Sequence, residues 1–530
     1  MGFRRSVFFL AFLASLCDQV LAEQPSVRLQ GSEVRGVAAQ VVGAGVSVHQ
    51  YLGIPYAITP PERFSPPRAI RQQTWVVNAD TLKPACMQQF NYPESSRNFA
   101  LQVFNNPAPP GESEDCLYLN VYTPTTPAPA GGWPVMFWLY GGSLQFGTGS
   151  LPGYNGSAFA AYENIVLVTI NYRTNVFGFP GSPELPDNGH NLGFLDQRTA
   201  LDWVQRNIKA FGGDPEKVTV FGESAGAFST DALLTSFGKD QKPPFRAAIL
   251  QSGQYSYRSA PRNISTNFAN WDKLASALNC TSNSNSTLAC VKAAPATTIK
   301  DIIERGALVF SPMPDNITLF PNPAAKRLSG DIYPIPVMSG SNAQEGRVFA
   351  QGMTNVSAAL LTSFPVATAE QRQAIADAYP VGQDGLDTPF DAIAQIMTEN
   401  RFQCSQAQFA NDTASMGIPS YRYYFNASFP NLEKFPAAGV YHSIEIDLVF
   451  RNYESANVTS QEVFLSDFLQ STWASFARNP AAGPGWSALG KAVEGGKDLA
   501  VIGPEGVRMG RQEEVDGRCG LFDGLYNLSV

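Results

Sequence analysis

Short, near-continuous apolar runs recur along the chain: Val135 to Tyr140, Ile165 to Ile170, Val218 to Phe221, Ala247 to Leu250 and Pro336 to Met338. Runs of this length suit strands buried on both faces, because helices need ten or more residues. Between them lie segments whose apolar positions fall three and four apart. The clearest is Asp196 to Lys209, where Ala200, Trp203, Val204 and Ile208 share one face and Gly212-Gly213 follows as a stop. Asp301 to Leu308, Ala369 to Ala378 and Thr388 to Met397 read as further helices. Ser466 to Arg478 reads as an amphipathic helix with Phe468, Leu469, Trp473 and Phe476 on its apolar side, stopped by Pro480. Tyr51 to Ala57 and Tyr421 to Phe425 read as strands, and Glu114 to Tyr122 alternates like a half-buried one. Buried strands alternating with helices predict an α/β fold: a large, mostly parallel central sheet covered by helices on both faces. Ligands in such sheets sit at the carboxyl ends of the strands. The stretch from Cys86 to Cys116 carries Phe90, Tyr92, Phe99, Leu101, Val103 and Phe104 and is either a flap folded over a site or a packed surface loop. With no internal repeat and no low-complexity linker, residues 23–530 are expected to form one domain.

Composition narrows the function classes. The 530 residues carry a net charge of −8 and no basic run, which argues against a nucleic-acid partner. Residues 1–22 read as a signal peptide: Arg4 and Arg5 form a positive start, Val7 to Leu16 is an apolar run too short to span a bilayer, and Val20-Leu21-Ala22 suits cleavage. No later stretch reads as a membrane helix, and Leu521 to Val530 lacks the hydrophobic tail of a lipid anchor. The expected location is secreted and extracellular. Of seven cysteines, Cys17 leaves with the signal, and the remaining six in an oxidising compartment imply three disulfides. None shows a Cys-x-x-Cys spacing, and neither a metal nor an organic cofactor is expected. Glycosylation acceptors stand at Asn155, Asn263, Asn279, Asn285, Asn316, Asn355, Asn411, Asn426, Asn457 and Asn527.

The candidate chemistry centres on Val218-Thr219-Val220-Phe221-Gly222-Glu223-Ser224-Ala225-Gly226. This reads as a buried strand, a tight turn and the start of a helix. Gly222 and Gly226 flank Ser224 in the spacing Gly-x-Ser-x-Gly, which lets a strained turn present the serine hydroxyl where a side chain at either glycine would collide with its neighbours. An activated serine also needs a base, an acid to orient that base, and donors for an oxyanion. The chain holds three histidines. His49 sits in an N-terminal strand and His190 in a polar loop. His442 lies downstream of the serine, as the order serine, acid, histidine of this fold requires.

These residues together resemble the type-B carboxylesterases, the family that includes cholinesterases, mammalian carboxylesterases and some secreted lipases. Glu114-Asp115-Cys116-Leu117-Tyr118-Leu119-Asn120 resembles one family signature, and Phe211-Gly212-Gly213-Asp214-Pro215 through Gly226 resembles the other. Asn171-Tyr172-Arg173, Gly193 to Gln197, Gln251-Ser252-Gly253 and Ser341 to Gly346 fall in the family's order, and the likeness covers roughly residues 40 to 525. It implies an α/β-hydrolase fold with Ser224 as nucleophile, Glu345 as the acid and His442 as the base. It implies backbone donors from Gly142, Ser143 and Ala225 for the oxyanion, although Ser143 stands where the family usually has glycine. It implies the pairings Cys86–Cys116, Cys280–Cys290 and Cys404–Cys519. Glu223 and Glu445 correspond to carboxylates the family keeps near the triad, with structural ion pairing as the alternative.

The expected activity is hydrolysis of uncharged carboxylic esters through an acyl-enzyme, on a small-molecule or lipid-like substrate. A lipase, a sterol-ester hydrolase or a biosynthetic acyltransferase would use the same triad. A catalytically silent adhesion protein would have lost part of it, whereas all three positions are filled here. A choline ester would need an aromatic platform for its cation. In the family the principal tryptophan of that platform lies in the loop closed by the first disulfide, and the stretch from Cys86 to Cys116 contains no tryptophan.

Overall fold

Every side chain of Val166–Ile170 and Ala247–Gln251 is buried, as are Val135 to Leu139. A strand covered on both faces has no polar side to alternate with, so it reads as an unbroken apolar run. The structure is a computed structural model and describes residues 24–29, 31–41, 43–70, 75–257, 264–280, 286–490 and 496–526. The expected signal segment lies outside these, as do the acceptor residues Asn263, Asn285 and Asn527.

The main sheet has 11 strands. They are β1 (Val37–Gln40), β2 (Ser47–Pro55), β3 (Tyr118–Pro124), β4 (Trp133–Leu139), β5 (Val166–Ile170), β6 (Gly213–Glu223), β7 (Ala247–Gln251), β8 (Val337–Asn342), β9 (Ser420–Phe425), β10 (Leu499–Gly503) and β11 (Gly506–Gly510). Their spatial order is β11-β10-β9-β8-β7-β6-β4-β5-β3-β2-β1. From β5 to β10 in that order the strands are parallel. The outer pairs are antiparallel. Ser26–Leu29, Ser32–Arg35 and Val76–Asn78 form a separate small sheet. Because the inner strands of the main sheet run parallel, the carboxyl ends of β6, β8 and β9 fall on one edge.

Four elements depart from the sequence expectation. The segment expected to be half-buried is β3, and Leu119 to Pro124 are buried on both faces, with the helix Ser157–Glu163 packed against the strand. Its one misleading polar residue, Asn120, is buried and satisfied: its amide donates to Gly149 O and Thr169 Oγ1, and its Oδ1 accepts from Gly53 N–H. The helix expected over Asp301 to Leu308 is Ala296–Arg305, bracketed by Pro295 and Gly306. The helix expected from Ser466 starts earlier, at Ser460, where the Thr459 side chain accepts from Glu462 N–H. The stretch between Cys86 and Cys116 is not all loop, for it contains the helix Glu94–Phe104.

Sulfur–sulfur bonds join Cys86 to Cys116, Cys280 to Cys290 and Cys404 to Cys519. Buried arginine–aspartate pairs tie the layers together: Arg173 with Asp196 at 2.8 Å, Arg327 with Asp231, and Arg422 with Asp516. Of the described acceptor asparagines, Asn279, Asn316, Asn355, Asn411, Asn426 and Asn457 are exposed, whereas Asn155 is half-buried and its Oδ1 accepts from Ser157 N–H. The bridge from Cys404 to Cys519 spans 115 residues and that from Cys280 to Cys290 spans 10. The chain-entropy model gives about 5 kcal/mol for the former and about 3 kcal/mol for the latter. Denaturant titration of the paired alanine variants should therefore show the larger loss for the long bridge.

Candidate active site

Strand β6 ends at Glu223 and the helix Ala225–Ser236 begins at the next residue but one, so the whole reversal falls on Ser224. Its backbone lies at φ 53° and ψ −118°, a left-handed φ that costs a serine on the order of 1–3 kcal/mol. The crossing is close enough to exclude side chains on either side. A Cβ on Gly226 would stand 1.9 Å from the Leu139 carbonyl oxygen, and one on Gly222 would stand 2.6 Å from the Gly226 carbonyl carbon. All residues of the following helix are buried, so the turn has nowhere to relax. Ser224 N–H donates to Gln251 O at 2.9 Å, tying the turn to β7.

Glu345 lies three residues past the end of β8, and His442 lies between β9 and the short helix Ile444–Val449. The parallel sheet thus delivers Ser224, Glu345 and His442 to its carboxyl edge. His442 Nδ1 is 2.6 Å from Glu345 Oε2, and Glu345 Oε1 accepts from Asn342 N–H at 2.7 Å. The rings of Phe349 and Phe402 flank the imidazole at centroid distances of 5.1 and 4.7 Å. Ser224 and His442 line one cavity. His442 Nε2 lies 3.0 Å from Glu223 Oε1 but has no hydrogen-bond partner among the described residues, Ser224 Oγ included. In sites of this chemistry that serine–histidine contact is often long without substrate and tightens when substrate binds.

The other histidines stand apart. His190 is buried with Nδ1 against Pro180 O at 2.8 Å. His49 is on β2, and neither lines a cavity with Ser224. Among the described residues no cluster of His, Cys, Asp and Glu is arranged to hold a metal ion.

Two further buried carboxylates surround the imidazole. Glu223 accepts from Ser443 Oγ at 2.6 Å. Glu445 accepts from Asn342 Nδ2 at 2.6 Å and from Gln251 Nε2 at 3.1 Å. Neither pairs with a lysine or arginine among the described residues; the cation beside Glu223 is His442 itself, at 3.0 Å. Burial pushes Glu223 up, and pushes Glu445 up to about 8. Burial also works against a charge on His442, but Glu223 and Glu345 outweigh it and raise the imidazole to about 9. Asn342, Gln251 and Ser443 were not singled out by the sequence for these contacts. The available signal was adjacency, since Gln251 and Asn342 lie inside motifs already noted and Ser443 follows His442 directly.

Beyond β4 the backbone turns through Gly142 at φ 104°, Ser143 at φ 58° and Leu144 at φ 60°. A Cβ on Gly142 would stand 2.3 Å from Phe146 O, whereas Ser143 accepts the left-handed strain with its side chain in place. The N–H groups of Gly142 and Ser143 donate to no group among the described residues. That of Ala225, the first residue of its helix, has no intrahelical partner. Ser143 and Ser224 belong to the walls of two cavities. The narrower, with about 90 Å³ of free volume, is also lined by His442, Glu223, Val103 and Phe104. The wider, with about 400 Å³, is also lined by Ala225, Gly253 and Phe402. The Cys86–Cys116 segment therefore folds over the narrower one.

The model of the carboxylesterase family matches residues 23–493 of the chain. The chain belongs to the carboxylesterase family. It is 34% identical to an acetylcholinesterase of Bungarus fasciatus over 485 residues, which covers 86% of this chain and 78% of that protein. It is 31% identical to a cholinesterase of Mus musculus over 502 residues, covering 89% and 82% respectively. The carboxylesterase has the α/β-hydrolase fold of its family and is a carboxylic ester hydrolase.

The carboxylates fix the sign of a titration. They hold the proton on His442, so its imidazole should lose charge near pH 9 instead of the ordinary 6.5. Removing one negative charge in Glu223→Gln should move that midpoint down. Histidine-labelled NMR, assigned with a His442→Gln variant, reads it directly; an unmoved midpoint would show that Glu223 does not act on the imidazole.

Proposed function

We propose that this chain is a secreted serine esterase that cleaves uncharged carboxylic esters through an acyl-enzyme on Ser224. The observation that carries this reading is the strained strand-to-helix turn of Ser224, sharing a cavity with an imidazole whose other nitrogen is 2.6 Å from Glu345. In the first step His442 in its neutral form, the minor one below about pH 9, takes the Ser224 proton on Nε2 as Oγ bonds to the ester carbonyl carbon, so turnover should rise as the pH approaches 9. The carbonyl oxygen becomes an oxyanion facing the N–H groups of Gly142, Ser143 and Ala225, each worth about 3 kcal/mol of barrier. Glu345 orients the imidazole and stabilises its cationic form. The carbon–oxygen bond to the alcohol then breaks, and His442 gives the alcohol its proton. Water repeats the sequence on the acyl-enzyme and restores Ser224.

The proton transfer assigns the two cavities. The departing alcohol must lie beside His442, which lines only the narrower one. The wider cavity then holds the acyl group. In the alcohol cavity the rings are Phe104, Phe146, Tyr154 and Phe349, with no tryptophan, and its Lys434 and Asp447 pair with each other at 3.3 Å. This supports an uncharged alcohol over choline, despite the names of the relatives. The export reading is supported by the disulfides and the exposed acceptor asparagines. No helix among the described residues is long and apolar enough to cross a membrane.

Ser224→Ala should lower ester turnover on the order of 10⁶-fold and abolish labelling by a serine-directed phosphonate, with His442→Ala nearly as damaging because the members act as a unit. Retained turnover in a clean preparation would rule this site out. Matched butyryl esters test the alcohol: one of choline, one of an uncharged alcohol of similar size and leaving-group pKa. The uncharged ester is expected to show the higher kcat/KM, and the reverse order would refute the preference.

A further inference from the structure

The acyl cavity is polar where a hydrocarbon chain would need apolar walls. Ser252, Gln254, Ser311, Thr362, Asn400 and Arg401 all line it. Ser252 is fully buried, and its Oγ has no hydrogen-bond partner among the described residues. An alkyl acyl group would leave Ser252 Oγ desolvated and without a partner, which disfavours its binding.

Arg401 is the one lysine or arginine among the residues that line this cavity. The π-helical turn Glu399–Gln403 places it among the cavity-lining residues, and it is exposed. The buried arginines Arg173, Arg327 and Arg422 each face an aspartate, whereas Arg401 is exposed. Arg401 has no carboxylate and no hydrogen-bond acceptor on its guanidinium among the described residues. The nearest acid in sequence, Glu399, is already held by Arg518 Nη2 at 2.6 Å and Tyr379 Oη at 2.7 Å. The surrounding protein lowers the pKa of Arg401 by desolvation, yet a guanidinium stays charged at any working pH. The wall of the cavity assigned to the acyl group therefore carries one cation with no acid paired to it among the described residues.

We propose that Arg401 binds a carboxylate at the far end of the acyl group, so that the preferred substrates are monoesters of dicarboxylic acids with an uncharged alcohol. The planar fork of a guanidinium matches a carboxylate through two parallel hydrogen bonds. A phosphate would bring up to two negative charges to one cation in a walled cavity, whereas a carboxylate brings one. This inference rests on the esterase reading above and revises its acyl half, leaving the alcohol uncharged. Hydrolysis then releases the alcohol and a dicarboxylate.

Benzyl hydrogen glutarate and benzyl valerate test it, because they share the leaving alcohol and acyl chain length and differ in the terminal carboxylate. Release of benzyl alcohol is followed by chromatography on the full-length protein. The wild type should favour the glutarate ester at least tenfold in kcat/KM. Arg401→Gln should cut that ratio at least tenfold, and Arg401→Lys, which keeps the charge but loses the fork, should cut it less. Thermal melting checks each variant, and if the glutamine variant does not fold, a reduced ratio in the lysine variant decides. A wild-type ratio below one, or a ratio untouched by either substitution, overturns the inference. Turnover of benzyl valerate with refusal of the glutarate ester sinks this inference alone. If neither ester is cleaved and no phosphonate label reaches Ser224, the esterase reading beneath it falls.

Discussion

The structure depends on one close crossing of backbones. At the end of β6 the chain must reverse into a helix while passing the carbonyl of Leu139 on β4 at a distance that leaves no room for a Cβ at Gly226. The reversal forces Ser224 into a left-handed conformation, and the fully buried helix behind it holds that conformation in place. Neighbouring strands share the load: Ser224 N–H is pinned to β7, and β4 sends its chain directly into the Gly142–Ser143 turn. Distorting the crossing would therefore move the candidate nucleophile and its candidate oxyanion donors together. Strain of this kind survives only where the surroundings over-determine it.

Around that turn the interior is unusually acidic. Glu223, Glu345 and Glu445 are all buried within the shell of one imidazole. Such a cluster would be unstable without compensation, because burial disfavours each charge. The compensation is supplied by neutral donors, with Asn342, Gln251 and Ser443 each giving a hydrogen bond. Gln251 also accepts from Trp473 Nε1 at 3.0 Å, which extends the network to the helix Ser460–Arg478. The cluster thus couples the position of the imidazole to the packing of the outer layer.

Two cavities meet at Ser224, and they differ in character. One is narrow, ringed by aromatic side chains and roofed by the Cys86–Cys116 segment, with its lysine and aspartate paired. The other is wider and polar, with an arginine that no carboxylate neutralises among the described residues. A nucleophile on the shared wall can address an ester bond whose halves have unlike chemistry. Selectivity for each half then resides in different elements of the fold.

Much of the scaffold was legible in the residues themselves. Strands buried on both faces appear as apolar runs, and the turn at Ser224 declares itself because only glycine fits at Gly222 and Gly226. Where the sequence misled, tertiary cover was the reason. Strand β3 carries Asn120, which reads as a solvent-facing position but is satisfied internally, and the helix Glu94–Phe104 lies in a stretch without clear periodicity. The pairing of Glu345 with His442 is separated by 97 residues, and no local pattern encodes it; the likeness to a family supplied that expectation. By itself the sequence determined the sheet and the strained serine, because these depend on local sterics and on the period of hydrophobic positions. Only the tertiary structure decided which neutral donors hold the carboxylates around His442, which residues line which cavity and which arginine on a cavity wall lacks an acid, because those properties arise from side chains that the strand order brings together across long stretches of chain.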